Sequence, residues 1–146
     1  MGADDVDACE LLWDDAITDV RTRFALPVIE RTPELVDRMR SRIRHLLATD
    51  PDGSLVATHD GEVVGLAQAF VRDDLWVLSL FAVAPALQAL GIGRELLDAA
   101  LAYSGGRRGI ILASRDPKAM RRYDVDRRAR GFDRVPAPYL PSGAFG

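Results

Sequence analysis

Apolar residues recur at helical spacing over residues 6–24, where Val6, Cys9, Trp13, Ala16 or Ile17, Val20 and Phe24 fall on one stripe. The pattern predicts a helix, with Asp4, Asp5 and Asp7 supplying caps and favourable charge at its start and Pro27 stopping it. A second stripe, Leu35/Val36, Met39, Ile43 and Leu46/Leu47, opens at Thr32-Pro33, a cap followed by proline at the first helical position. Arg38, Arg42 and His45 lie opposite that stripe and read as a solvated basic face. The character then changes to extended segments. Residues 54–59 and 62–71 flank Asp60-Gly61, a strong hairpin signal. After a turn at Arg72-Asp73-Asp74, residues 75–83 are almost unbroken apolar, which predicts a strand buried on both faces.

Helical spacing returns from about residue 90 to 103 (Leu96, Leu97, Ala100, Leu101) and stops at Gly105-Gly106. Residues 109–113 read as a short buried strand, and Asp116-Pro117 opens a last helix running towards Arg130. The order is helix, helix, three antiparallel strands, helix, strand, helix, short strand. The two strands joined through the 90s helix should be parallel neighbours.

The join between the apolar strand and the 90s helix carries the most chemistry. The strand ends at Pro85, and a short turn with Gln88, Gly91 and Gly93 leads straight into the helix. Backbone N–H groups at a helix start have no intrahelical partner, and the aligned peptide dipoles place partial positive charge there. Glycine lets an anion approach the main chain closely. The spacing leaves two readings, a pyrophosphate cradle or a plain tight connection. No Gly-Lys-Ser/Thr follows, so a Walker loop is excluded. Leu96 at the third glycine position argues against a dinucleotide fold.

Composition narrows the class. A chain of 146 residues, 48% apolar and 28% charged, reads as one soluble globular domain over residues 1–146, with 135–146 as an irregular proline-bearing tail. No apolar run approaches the roughly 20 residues of a membrane span, and the acidic start carries no signal segment, so a cytoplasmic location is expected. A lone cysteine, Cys9, forbids an internal disulfide, and His45 and His59 are too far apart to suggest a metal site. A net charge of −3 argues against nucleic acid as a partner.

Gln88-Ala-Leu-Gly91-Ile-Gly93 after a long strand, together with Asp116-Pro-Lys-Ala119-Met-Arg-Arg-Tyr123 on the last helix, resembles the signatures of the GNAT family of N-acetyltransferases. The element order agrees from residue 6 to about 132. The resemblance implies an α/β (α+β) fold, a mixed, mostly antiparallel twisted sheet flanked by helices. It also implies transfer of an acetyl group from acetyl-CoA to a primary amine, with no metal. Main-chain groups of Phe81, Ala82 and Val83 would pair with the pantetheine arm. Gln88, Ala89, Leu90, Gly91, Ile92, Gly93 and Arg94 would hold the pyrophosphate. Asp116 and Ala119 complete the cofactor-binding set, and Tyr123 would give a proton to the departing thiolate. No general base is assigned: residues 75–83 carry no carboxylate, and Asp73 and Asp74 read as turn residues.

The chain departs from the family pattern in three places. No strand precedes the first helix, Gly131 stands eight residues after Tyr123 instead of four, and Pro136, Pro138 and Pro141 interrupt the last strand. The first and last strands are therefore expected to be absent or poorly formed. The open edge left behind suggests a homodimer, or one half of a tandem acetyltransferase. The alternative function is a non-catalytic, degenerate domain serving as a CoA-binding or interaction module. The acceptor is unassigned, since the 24–34 loop, flanked by Arg23 and holding Glu30 and Arg31, has no diagnostic pattern.

Overall fold

A computed structural model describes residues 1–111. A short 3-10 turn, Ala3–Asp5, leads into helix α1, Val6–Arg23. Asp5 stands at the N-cap, but its carboxylate accepts the Gly2 N–H at 2.7 Å and does not cap α1, which corrects the expected role of the aspartates. Val6, Cys9, Leu12 and Ala16 bury the inner face of α1. Phe24 does not belong to the stripe: the helix ends one residue before it, Ala25 takes a left-handed φ of 50°, and the ring is exposed.

Helix α2 spans Pro33–Thr49 and is capped by Thr32, whose Oγ1 accepts the Leu35 N–H at 3.4 Å. Ile43 and Leu46 are buried, and Met39 and Leu47 pack beside them. Arg38, Arg42 and His45 are exposed as expected, and the guanidinium of Arg42 also reaches down to the sheet, a contact the solvated-stripe reading did not include.

The strands are β1 (Ser54–His59), β2 (Glu62–Arg72), β3 (Leu75–Val83) and β4 (Arg108–Ile111), in sheet order β1-β2-β3-β4. Asp60 and Gly61 take φ of 50° and 83°, both left-handed as the tight hairpin requires. Strands β1, β2 and β3 are antiparallel, and β3 pairs parallel with β4 after the crossover through helix α3, Ile92–Tyr103. No strand precedes α1 among the described residues. The expected last helix and strand lie outside them, as do Asp116, Ala119 and Tyr123.

Both sheet faces are covered. On one face, α1 and α2 enclose Leu66, Leu80 and Ala82. On the other, Leu96, Leu97, Ala100 and Leu101 of α3 pack on Ala67, Ala69, Trp76, Leu78 and Val83. Small residues let α3 come close. A Cβ added at Gly65 would lie 2.5 Å from Leu96 Cδ1 and 3.2 Å from Ile92 Cγ2.

One polar group ties the layers together. Asp50 follows α2, and its side chain is only 3% exposed. Its Oδ1 accepts from Arg72 Nη1 (2.8 Å), the Val71 N–H (3.2 Å) and Tyr103 Oη (3.2 Å); Oδ2 accepts from Arg72 Nη2 (2.9 Å) and Thr49 Oγ1 (2.6 Å). Burial opposes ionisation of this carboxyl. The hydrogen bonds from Arg72, Thr49 and Val71 outweigh it and hold Asp50 well below the usual carboxylate range.

Candidate active site

The join singled out by the sequence forms an open shelf at the end of β3. Pro85–Leu87 make a single 3-10 turn, Gln88, Ala89, Leu90 and Gly91 are exposed, and α3 begins at Ile92. Gly91 takes φ 88°, a left-handed conformation that a Cβ would strain. This places its carbonyl to accept the N–H groups of Arg94 (2.8 Å) and Glu95 (3.2 Å), which starts the helix. The Gln88 side chain fixes the turn to the strand, its Nε2 donating to the Val83 carbonyl at 3.4 Å.

The backbone bonds separate this turn into two kinds of residue. The Leu90 N–H donates to the Leu87 carbonyl at 3.2 Å, so Leu90 and Arg94 have their amides committed within the protein. The amides of Gln88, Ala89, Gly91, Ile92 and Gly93 have no acceptor among the described residues. They are free donors at the positive end of a 12-residue helix, on an exposed surface. Arg94 itself contributes an exposed guanidinium, loosely paired with Asp98 at 3.9 Å.

Gly93 sits over the strand that leads into the turn. A Cβ there would meet Val83 Cγ2 at 3.5 Å and Phe81 Cζ at 3.8 Å, ordinary contact distances. Phe81 and Val83 therefore belong to the α3 side of β3, whereas Ala82 packs towards α1 and α2. The main chain of Phe81, Ala82 and Val83 pairs with Ala67, Leu66 and Gly65 of β2. Pairing with β4 runs from Leu75–Arg108 to Leu78–Ile111, and Ser79–Val83 continue past that last described pair.

At the end of that pairing the register between β2 and β3 slips by one residue. Gln68 opposes Leu80 while Ala69 opposes Leu78, so Ser79 is an extra residue in β3. The Ser79 side chain is directed to the α2 side, where its Oγ accepts from Arg42 Nη2 at 2.6 Å and its carbonyl accepts from the same nitrogen at 3.3 Å. The sequence reading missed both the bulge and its arginine. A single-residue offset inside an apolar run has no signature in the hydrophobic pattern.

The remaining reactive groups have structural roles. Burial, then the charge of Asp5, pushes the Cys9 thiol up to about 11, far from a usable nucleophile. Glu10 is buried and accepts from Arg31, which also reaches Asp14 at 3.5 Å. These contacts fasten the 24–32 loop to α1. A cleft of about 390 Å³ lies at the far edge of the sheet between β1 and α3, lined by Leu55, Ala57, His59, Ile92 and Leu96, away from Ser79. Among the described residues no group of His, Cys, Asp and Glu is arranged to hold a metal, and no helix is long and apolar enough to cross a membrane.

Residues 10–131 match the acetyltransferase (GNAT) family. No curated protein matches the chain. Among solved structures, PH1933 from Pyrococcus horikoshii is similar with a TM-score of 0.68 and 19% identity, over 93% of this chain and 85% of that one. The PaiA N-acetyltransferase from Thermoplasma acidophilum, in complex with coenzyme A, has a TM-score of 0.66 and 11% identity, over 86% and 84% of the two chains. A Pyrococcus horikoshii protein described as an acetyltransferase has a TM-score of 0.62 and 22% identity over 85% of this chain, and this chain spans only 41% of its length. With a mostly antiparallel sheet, four-stranded among the described residues, between helices and a family match over most of its sequence, the chain belongs to the acetyltransferase (GNAT) family.

Proposed function

We propose that the chain transfers an acetyl group from acetyl-CoA to a primary amine by direct attack. The observation that carries the reading is the set of uncommitted amides at Gln88, Ala89, Gly91, Ile92 and Gly93, set on an exposed helix start beside the end of β3. A diphosphate satisfies several such donors at once, with Arg94 as an added cation. The pantetheine arm then lies along Phe81, Ala82 and Val83 as an added strand. From Val83 back to Ser79 is about 13 Å at strand rise, so the thioester arrives near the bulge.

The neutral amine attacks the thioester carbon, a C–N bond forms, and the C–S bond breaks. The expelled thiolate takes a proton from Tyr123, and the ammonium proton leaves to water, since β3 carries no carboxylate or histidine. Cys9 is buried, and its thiol is held protonated, so it supplies no acyl-enzyme step. We further propose that the domain acts in the cytoplasm and pairs with a second copy across its open sheet edge. Sedimentation showing only monomer at micromolar concentration would count against the pairing.

The spacing of eight residues from Tyr123 to Gly131 favours a second reading, a domain that holds CoA without turnover. Thermal shift and thiol release separate the two. Acetyl-CoA at 100 times its Kd should add about 2.7 kcal/mol of stability, and an amine panel then reports turnover. Tyr123→Phe should slow turnover by roughly 10²–10⁴ while leaving the thermal shift intact. No shift with acetyl-CoA overturns both readings; a shift without thiol release for any amine supports the second.

A further inference from the structure

We infer that Arg42, anchored on the Ser79 bulge, selects acceptor amines that carry a carboxylate. The inference deepens the proposed reaction and rests on it for the position of the thioester. Arg42 donates from Nη2 alone, to Ser79 Oγ at 2.6 Å and to the Ser79 carbonyl at 3.3 Å. Its Nε and Nη1 donate to no protein group among the described residues. Arg31, Arg40 and Arg72 each reach an aspartate or glutamate, yet Arg42 pairs with no acid among the described residues.

Arg42 is exposed, so water hydrates its charge, and an anion arriving there meets a guanidinium with no acid already beside it. Partial burial of its head lowers its pKa from the ordinary value. The bonds to Ser79 engage Nη2, the nitrogen shared by both forked edges of the guanidinium, and hold the planar head in one orientation, so that Nε–H and Nη1–H are left to give single charge-assisted bonds to a carboxylate. Ser79 adjoins Leu78, the last β3 residue with a described β4 partner, and precedes Phe81 by two positions. The carboxylate would thus be held on the α2 side of the reacting end of the strand. Arg38, one turn earlier on α2 and exposed, adds positive potential on the approach. The substrate class is small amino acids and amines bearing a carboxylate near the amine.

The test uses the full chain and acceptor pairs that differ only in charge, each of several L-amino acids and β-alanine against its carboxamide. Near pH 7 the less basic amine of the carboxamide has the larger neutral fraction, which offsets its lower intrinsic nucleophilicity, so a preference of roughly ten-fold or more for the acid does not come from amine reactivity. With CoA-thiol release as the readout, kcat/KM should favour the acids by on the order of ten- to hundred-fold, the worth of one charge-assisted pair. Arg42→Met, which keeps the apolar stem, should erase that preference through KM while leaving carboxamide turnover and the acetyl-CoA thermal shift in place; Arg42→Lys should keep part of it. Melting temperature identifies any variant that fails to fold. Where no amine turns over, stabilisation of the CoA-bound protein by the acids over the carboxamides, lost in Arg42→Met, supports the inference. Equal response to both members of each pair, or an acid preference that survives Arg42→Met, overturns it with the acetyl-CoA reading intact. Absence of any acetyl-CoA shift overturns that reading instead.

Discussion

Two polar regions of this molecule are built on opposite plans. At Asp50 every acceptor position is filled, by Arg72, Thr49, Val71 and Tyr103. At residues 88–93 five backbone donors have no acceptor among the described residues. The first region is buried and joins α2, β2 and α3; the second is exposed and stands at the mouth of a strand. A closed network contributes stability, while an open one keeps its hydrogen-bonding capacity for something that is not part of the chain. Substitutions in each should separate stability from binding.

The largest effect is expected from Asp50→Ala, which leaves the Arg72 fork, the Val71 amide and the Tyr103 hydroxyl without their shared acceptor. The half-exposed Arg72 recovers part of the loss from water, so urea unfolding should show about 2–4 kcal/mol less stability. The folded fraction should still respond to acetyl-CoA. A loss under about 1 kcal/mol would mean that the network is not a fastening.

Acid should act through the same carboxyl. Its folded pKa lies below the ordinary 3.8, so the native state binds that proton less readily than the unfolded chain. The contribution is complete above pH 4 and is lost as the pH falls below 3.8 towards the folded value. Wild type and Asp50→Asn should therefore differ most near neutrality, and the gap should begin to narrow once the pH falls below 3.8. A gap that stays constant over this range would show that charge is not what matters there.

Smaller effects are expected at the open turn. Gly91→Ala must hold a φ of 88° with a Cβ in place, costing about 1–2 kcal/mol, although nothing lies within 4 Å of the added methyl. Gly93→Ala is the sharpest contrast. Its Cβ fits at 3.5 Å from Val83, and alanine favours the helix by up to about 1 kcal/mol, so the melting temperature should hold or rise. Calorimetry should nonetheless show weaker acetyl-CoA binding, because the methyl group stands beside Val83 and Phe81, along which the pantetheine arm is proposed to run. Unchanged affinity would place the ligand elsewhere.

What the sequence revealed depended on distance along the chain. Asp60-Gly61 fixed the hairpin because its dihedrals are local, and the parallel placement of β4 followed from the helix that joins it to β3. Gly91 was legible for the same reason: a left-handed residue at a helix start asks for glycine. Asp50 was not, because its partners Arg72 and Tyr103 lie 22 and 53 positions away. Arg42 was legible only in part, for a related reason. Helical period puts it opposite the apolar stripe, where it is exposed, and only the packing of α2 on the sheet brings its head to Ser79. The phase of α1 failed at Phe24 because the period continues in the sequence after the helix has stopped.

The missing side chain at Gly65 has a further consequence. An added Cβ would press on Leu96, Ala57 and Ile92, and Ile92 is the first residue of α3. A bulkier residue there would lever the front of the helix off the sheet and tilt the amides with it. The height of the proposed anion cradle is thus set from a neighbouring strand, and a lesion at Gly65 would mimic loss of the acetyl-CoA binding proposed above.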